Sequence, residues 1–182
     1  LGNWHEYIYE NTVFDRQAGT NQGVLGCKIY NIGAGGIHMS GGNRLTLEPG
    51  NNYVRNCEIY NCNRLDRSYK AGVNIEGVGN LIEHCEIHDA PSAAIYLHGN
   101  DHVIQYNRIH NCCQESDDMG AFYMGRDPSE YGNVIRYNLW YNIGKGLDTH
   151  RTTTVYFDDG ACGSTVYGNI FYKAGNRVIQ IG

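Results

Sequence analysis

The sequence predicts an all-β solenoid, a coil of short strands repeated along one axis, and three observations carry that prediction. A phrase recurs six times: an apolar residue, two residues, Cys or Asn, one residue, an apolar residue. It is set by Val24/Cys27/Ile29, Val54/Cys57/Ile59, Ile82/Cys85/Ile87, Ile104/Asn107/Ile109, Ile135/Asn138/Trp140 and Val166/Asn169/Phe171. The steps between successive Cys or Asn positions are 30, 28, 22, 31 and 31 residues, the spacing of one structural unit with loops of variable length let into one corner. Second, each phrase is followed by a short alternating segment: Ile37–Ser40, Val73–Glu76, Ile95–His98, Phe122–Gly125, Val155–Asp158 and, last, Val178–Ile181. Third, 24 Gly and 15 Tyr against 3 Pro favour turns and strands over helices, and no segment carries an i, i+3, i+4, i+7 stripe.

Each element of the coil has its reason. A strand ends near the first apolar residue, the chain turns sharply at Cys or Asn, and a second short strand follows. After a loop of variable length comes the third strand, whose period-2 alternation points its first and third residues inward. A Gly-rich turn closes the coil. Coils stacked about 4.8 Å apart align equivalent residues in columns. Val24, Val54, Ile82, Ile104, Ile135 and Val166 form one apolar column, and Ile29, Ile59, Ile87, Ile109, Trp140 and Phe171 a second. Asn107, Asn138 and Asn169 are expected to form an amide ladder in the turn, with Cys27, Cys57 and Cys85 as stacked buried thiols in the earlier coils; disulfides between coils are the alternative. Tyr30, Tyr60, His88, His110, Tyr141 and Tyr172 line up outward, as an aromatic stack on a solvated face or as a ligand surface.

This pattern resembles the right-handed parallel β-helix of the pectate-lyase superfamily, over nearly the whole chain. The resemblance implies a single-stranded right-handed parallel β-helix of about six coils, one domain over residues 1–182. A propeller needs four antiparallel strands per unit, more than these repeats hold. No polar cap or covering helix is evident at either end. The chain therefore reads as a piece of a longer solenoid, with open ends suited to self-association.

Bulk properties bound the function. The net charge of −5 arises from scattered acids, which argues against a nucleic-acid partner. No apolar stretch approaches the roughly 18 residues of a membrane span, and no signal peptide is visible. Seven Cys leave at least one unpaired, and Cys112-Cys113 lacks metal-ligand spacing, so no metal site is expected.

Chemistry is expected where long polar loops precede the third strand, at residues 62–70, 112–119 and 144–152, flanking a short link after His88. The main cleft should lie over that sheet. Its outward side chains include His38, Asn74, Glu76, Tyr96, His98, Tyr123, Tyr156 and Asp158, with Arg126, Asp127 and Asp159 just beyond. Tyrosine rings beside acids and an arginine suit a polysaccharide or oligosaccharide, whose C–H faces stack on aromatics and whose hydroxyls need polar partners. Tyr96, Tyr123, Tyr156, His98, Arg126, Glu76, His150 and Arg151 are the expected substrate-binding residues.

Asp158-Asp159 resembles the acid pair of polygalacturonase-type β-helix glycoside hydrolases, which implies one acid protonating the leaving oxygen while others activate water. The Gly-His-Gly and Arg-Ile-Lys segments of that family are absent, so the likeness is to β-helix hydrolases at large. Asp158, Asp159, Asp118 and Asp127 are the expected catalytic carboxylates; hydrolysis needs no cofactor. A polysaccharide lyase is the second reading: Lys70, His98, His150, Arg126 or Arg151 would act as base or neutralise a uronate, and Asp117, Asp118 and Asp127 would hold Ca²⁺. A non-catalytic glycan-binding or structural shaft is the third. Any of the three implies a secreted, periplasmic or cell-surface protein.

Overall fold

The phrase folds as two short strands because the residue before each Cys or Asn takes a left-handed conformation. In the six copies of the phrase that residue is Gly26, Asn56, His84, Tyr106, Tyr137 and Gly168, with φ between +51° and +65°. A second left-handed column, Asn31, Asn61, Asp89, Asn111, Asn142 and Lys173, turns the chain out of the second strand. Only two of these twelve positions are glycine. Six of the others are Asn or Asp, whose short side chains tolerate this region. The computed structural model describes residues 8–9, 12–13, 19–145 and 151–182.

Three six-stranded parallel sheets result. The first comprises Gly23–Leu25, Tyr53–Arg55, Leu81–Glu83, Val103–Gln105, Val134–Arg136 and Thr165–Tyr167. The second comprises Lys28–Tyr30, Glu58–Tyr60, Glu86–His88, Arg108–His110, Leu139–Ile143 and Ile170–Ala174. The third, which carries the candidate site, comprises Ile37–Met39, Ala71–Ile75, Ala93–Leu97, Met119–Gly125, Thr152–Asp158 and Arg177–Ile181. Register is in phase throughout: Val54 pairs with Ile82, Ile87 with Ile109, and Ile95 with Phe122. Two small antiparallel hairpins, Ile8–Tyr9 with Thr12–Val13 and Gly42–Asn43 with Glu48–Pro49, lie outside the coils and were not expected.

The two predicted apolar columns form two walls of the core, and Val73, Ile75, Ile95, Leu97, Phe122, Met124 and Val155 form the third. Val54, Ile82, Ile104, Ile135, Ile59, Ile109 and Trp140 are fully buried. Each large aliphatic side chain so buried stabilises the fold by about 1.5–3 kcal/mol. Backbone closeness completes the stack. At Gly99, with φ +109°, a Cβ would stand 2.0 Å from the carbonyl oxygen of Gly77, so only glycine lets these coils approach.

The amide ladder is present. Asn107 N and Nδ2 both donate to Asn138 Oδ1 at 2.9 and 3.0 Å, and Asn138 repeats the pattern on Asn169. Each Nδ2 also donates to a carbonyl of the coil before: Asn107 to Ile82 O, Asn138 to Ile104 O, Asn169 to Ile135 O. The thiols of Cys57 and Cys85 donate to the equivalent carbonyls of Val24 and Val54, both at 3.6 Å. A thiol therefore replaces an amide because it occupies the same donor position. All seven cysteines are free, and burial pushes the Cys85 thiol up to about 12, so the buried-thiol reading holds over the disulfide one for Cys57 and Cys85, while Cys27, expected buried with them, is exposed.

A second ladder was not anticipated. Gln22 N donates to Asn52 Oδ1, Asn52 N to Asn80 Oδ1, Asn80 N to His102 Nδ1, and His102 N to Asn133 Oδ1, at 2.7–3.0 Å. His102 is fully buried and stands where its neighbours have Asn. Its Nδ1 accepts from Asn80, so its Nε2 carries the proton and donates to His98 O at 3.1 Å. The aromatic column on the second sheet is a parallel stack: Tyr30–Tyr60, Tyr60–His88, His88–His110 and His110–Tyr141 lie 4.4–5.0 Å apart with planes within 14°.

Two stability predictions follow from the ladders. Asn138→Ala removes a buried acceptor for two donors and should cost about 2–3 kcal/mol in urea unfolding, while Asn138→Cys, which keeps the donor, should cost less. Burial depresses His102 from 6.5 to about 4. The unfolded chain therefore takes up a proton that the folded chain refuses. The stabilisation is complete above about pH 6.5 and is lost as pH falls toward 4, to the extent of about 3 kcal/mol. His102→Asn, which restores an amide to the ladder, should remove that part of the acid sensitivity in urea titrations at stepped pH.

Candidate functional site

The third sheet presents two outward rows, each fixed by strand register. One runs His38, Asn74, Tyr96, Tyr123, Tyr156, Gln180. The adjacent row runs Ser40, Glu76 and His98, one residue beyond the last of those pairs, then Gly125 and Asp158, which pair directly, with His98 and Gly125 each two residues past the Tyr96–Tyr123 pair. A cleft of about 280 Å³ opens over them, lined by Tyr69, Asn74, Glu76, Tyr96, His98 and Tyr123. A groove of about 300 Å³ also crosses the first sheet, beside Tyr53, Arg55, Asp101, Gln105 and Arg136. The expectation of one dominant cleft is therefore not met. In that first-sheet groove the polar groups pair with one another: Arg55 lies 2.8 Å from Glu83, Gln105 donates to Glu83 at 2.7 Å, and Arg136 to Gln105 at 2.8 Å.

The two aromatic columns differ in what they offer a ligand. Parallel stacking on the second sheet covers both faces of each inner ring. On the third sheet Tyr96–Tyr123 and Tyr123–Tyr156 meet edge to face, 5.5 Å apart at 78° and 79°. That arrangement leaves ring faces uncovered by a parallel neighbour. Tyr96 and Tyr123 are partly exposed and able to stack on a sugar, whereas Tyr156 is only 6% exposed and acts through its hydroxyl.

Two polar clusters flank this row. In the first, Tyr123 Oη donates to Asp158 Oδ2 at 2.7 Å, and Tyr156 Oη donates to Asp118 Oδ1 at 3.3 Å. Burial and then the carboxylates of Asp158 and Asp118 push the Tyr156 phenol up to about 12. Neighbouring phenols of one row thus each hold a carboxylate, and the charge of both carboxylates is felt at Tyr156. Arg126 reaches both Asp158 (3.9 Å) and Asp159 (3.8 Å), and Asp159 is largely exposed. Asp118, Arg126 and Asp159 all have positive φ (48°, 75° and 29°), so tight turns present these side chains.

The second cluster was only half foreseen. His98 Nδ1 lies 3.3 Å from Glu130 Oε1, and the Glu130 side chain is 3% exposed while that of His98 is half exposed. The hydrogen bond to Glu130 holds the His98 imidazolium above the ordinary histidine range, against burial. Glu130 Oε2 is buried without a hydrogen-bond partner. Arg44 donates to Asn100, Ser129 and Asp127, and lies 3.8 Å from Glu130. Glu76 faces His38 Nε2 at 3.7 Å.

The structure brings Asp158, Asp118, Asp159, Arg126, Tyr123 and Tyr156 together, and Glu76, His98, Tyr96 and Tyr123 around the cleft. Asp127 is tied to Arg44 and Ser129. Arg151 is exposed at the start of the strand that ends at Asp158, some 20 Å away at strand rise. His150 lies outside the described residues. Glu130 and Arg44 carried a signal that went unread: the segments after the third strand, 126–133 and 41–52, are long where the equivalent after His98 is short. Among the described residues no group of three or more His, Cys, Asp or Glu is placed to hold a metal ion, and no helix is long and apolar enough to cross a membrane.

The phenol–carboxylate contacts are open to direct test. In Asp158→Asn the Tyr123 phenol, held high by burial and then by its bond to Asp158, should ionise at lower pH in a spectrophotometric titration. Unchanged tyrosine titration would mean that this contact is not made in solution.

No curated protein and no solved structure matches the chain significantly. The family described as the right-handed β-helix region matches residues 11–182. With its three stacked parallel sheets and one coil per repeat, the chain belongs to the right-handed β-helix family.

Proposed function

We propose that this β-helix binds a polysaccharide along its third sheet and hydrolyses glycosidic bonds there, with Asp158 and Asp118 as the carboxylate pair. The observation that carries the reading is that neighbouring phenols of one row hold the two carboxylates, Tyr123 Oη on Asp158 and Tyr156 Oη on Asp118. Glycoside hydrolysis uses a carboxyl pair about 5–9.5 Å apart, from retaining to inverting enzymes. Tyr96 and Tyr123 also offer ring faces to sugar C–H groups. Arg126 and Asp159 border the centre. A polysaccharide substrate accords with a secreted, periplasmic or cell-surface protein.

A β-elimination of a uronate-containing glycan is the second reading. His98, half exposed in the cleft and held by a buried carboxylate, has the setting of a base. The products separate the two reactions: elimination leaves an unsaturated sugar that absorbs in the near ultraviolet, and hydrolysis leaves only a new reducing end.

Asp158→Asn should lower kcat by at least about 1,000-fold with little change in glycan affinity, since the amide keeps shape but cannot transfer a proton. Tyr123→Ala should instead weaken binding by roughly 1–2 kcal/mol through lost stacking area, measured by calorimetry on the same glycan. Full activity of Asp158→Asn would remove the assignment.

A further inference from the structure

Between His98 and Asp158, in the same outward row, the sheet carries a glycine. Gly125 pairs with Asp158, and its neighbour Tyr123 pairs with Tyr96, two residues before His98. His98 and Asp158 are thus two strand spacings apart, about 10 Å between Cα atoms, and the residue of the intervening strand in their row is a glycine. A Cβ at Gly125 would stand 2.7 Å from the carbonyl oxygen of Asp158 and 2.8 Å from its Cβ, so the gap is enforced by backbone packing. The result is a notch with an imidazole on one side and a carboxylate on the other, and Tyr123, bonded to Asp158, beside it.

The His98 side of the notch is built to hold a proton. Nδ1 is engaged by Glu130 Oε1, which leaves Nε2 for the groove. Glu130 is almost wholly buried and its second oxygen has no partner, so its charge is directed at the imidazole. The charged and titratable groups around His98 are Glu130 and Glu76, which favour the imidazolium, and Arg44, which opposes it; behind it, His102 spends its one N–H on the His98 carbonyl.

We propose that His98 is the proton donor of the glycan-cleaving site, with Glu130 as its positioning residue and the scissile bond lying over Gly125 opposite Asp158. The proposal rests on the hydrolytic reading above: it keeps Asp158 as the base and gives the proton-donor role to His98 in place of Asp118. His98 Nε2–H gives its proton to the glycosidic oxygen as the bond from that oxygen to the anomeric carbon breaks. A water oxygen forms the new bond to the anomeric carbon and loses a proton to Asp158. Proton exchange with solvent then restores both groups. Because the donor must be protonated, the rate falls above the pKa of His98, which Glu130 raises.

The test uses reducing-end release from xylan, arabinan, galactan and polygalacturonate, with 2,4-dinitrophenyl glycosides of the corresponding sugars as substrates whose leaving group needs no proton. His98→Gln should lose about 100-fold or more in kcat on the polysaccharide that the wild type cleaves, and recover to within about 10-fold of wild type on the dinitrophenyl glycoside. Asp158→Asn should be slow on both. Glu130→Gln should move the basic limb of the kcat/KM profile to lower pH and lower kcat with KM unchanged, and the His98 imidazole should titrate at lower pH by NMR. Recovery on the activated substrate also proves that the variant is folded. Undiminished polysaccharide cleavage by His98→Gln, failure to recover on the activated substrate, or an unmoved basic limb in Glu130→Gln would overturn this assignment and leave hydrolysis standing. A wild type that cleaves none of these substrates would overturn both.

Discussion

Every feature of this molecule depends on one spacing, the distance of about 4.8 Å between strands of successive coils. Backbone hydrogen bonds set that distance, but they cannot choose a register, since any strand accepts a neighbour slid by two residues. The choice is made by side chains that fit only one neighbour: buried amides that reach the next coil's backbone, and glycines that admit the next coil's carbonyl. The Asn107–Asn138–Asn169 ladder and the Gly77–Gly99 approach both fail if one coil shifts. Once register is held, the outward rows are held too. Tyr123 meets Asp158, and His98 meets Glu130, because their backbones are already in place before any ligand arrives.

The core was legible because its period is written directly in residue type. A phrase ending in Val, Ile, Trp or Phe at constant offset from Cys or Asn marks the two apolar columns, and these are the most buried positions away from the terminal coils. The second ladder was hidden because its members vary in kind: Gln22 gives only its backbone N–H, while Asn52, Asn80, His102 and Asn133 accept in turn. What they share is one acceptor one residue before the first strand, a property of geometry rather than of name. His102 in particular reads as an isolated histidine until the stack places it between two asparagines.

The site was legible in half. Alternation along the third strand puts Glu76, Tyr96, His98, Tyr123, Tyr156 and Asp158 outward without ambiguity, and the structure keeps them there. Contacts that depend on loops were not readable. Asp127 looked like a partner for Asp158, yet the chain after Gly125 turns it toward Arg44, which comes from a hairpin three coils away. Glu130 is buried by that same loop. Long segments after a strand had as much claim to attention as long segments before one, and the physical reason is shared: both corners border the same sheet.

The cysteines of the turn column have a consequence beyond packing. In a solenoid each coil touches only its neighbours, so unfolding proceeds as fraying from an end rather than as one event. The seven thiols are spread along that axis: Cys27 and Cys162 are exposed in outer coils, while Cys57, Cys62, Cys85, Cys112 and Cys113 are buried in successive inner ones. The order in which an alkylating reagent reaches them is then a clock with known positions. Cys57 and Cys62 ahead of Cys112 and Cys113 means opening from the first coils, and the reverse order means opening from the last. The chain thus carries its own set of site-resolved reporters, with no label to introduce and no residue to change.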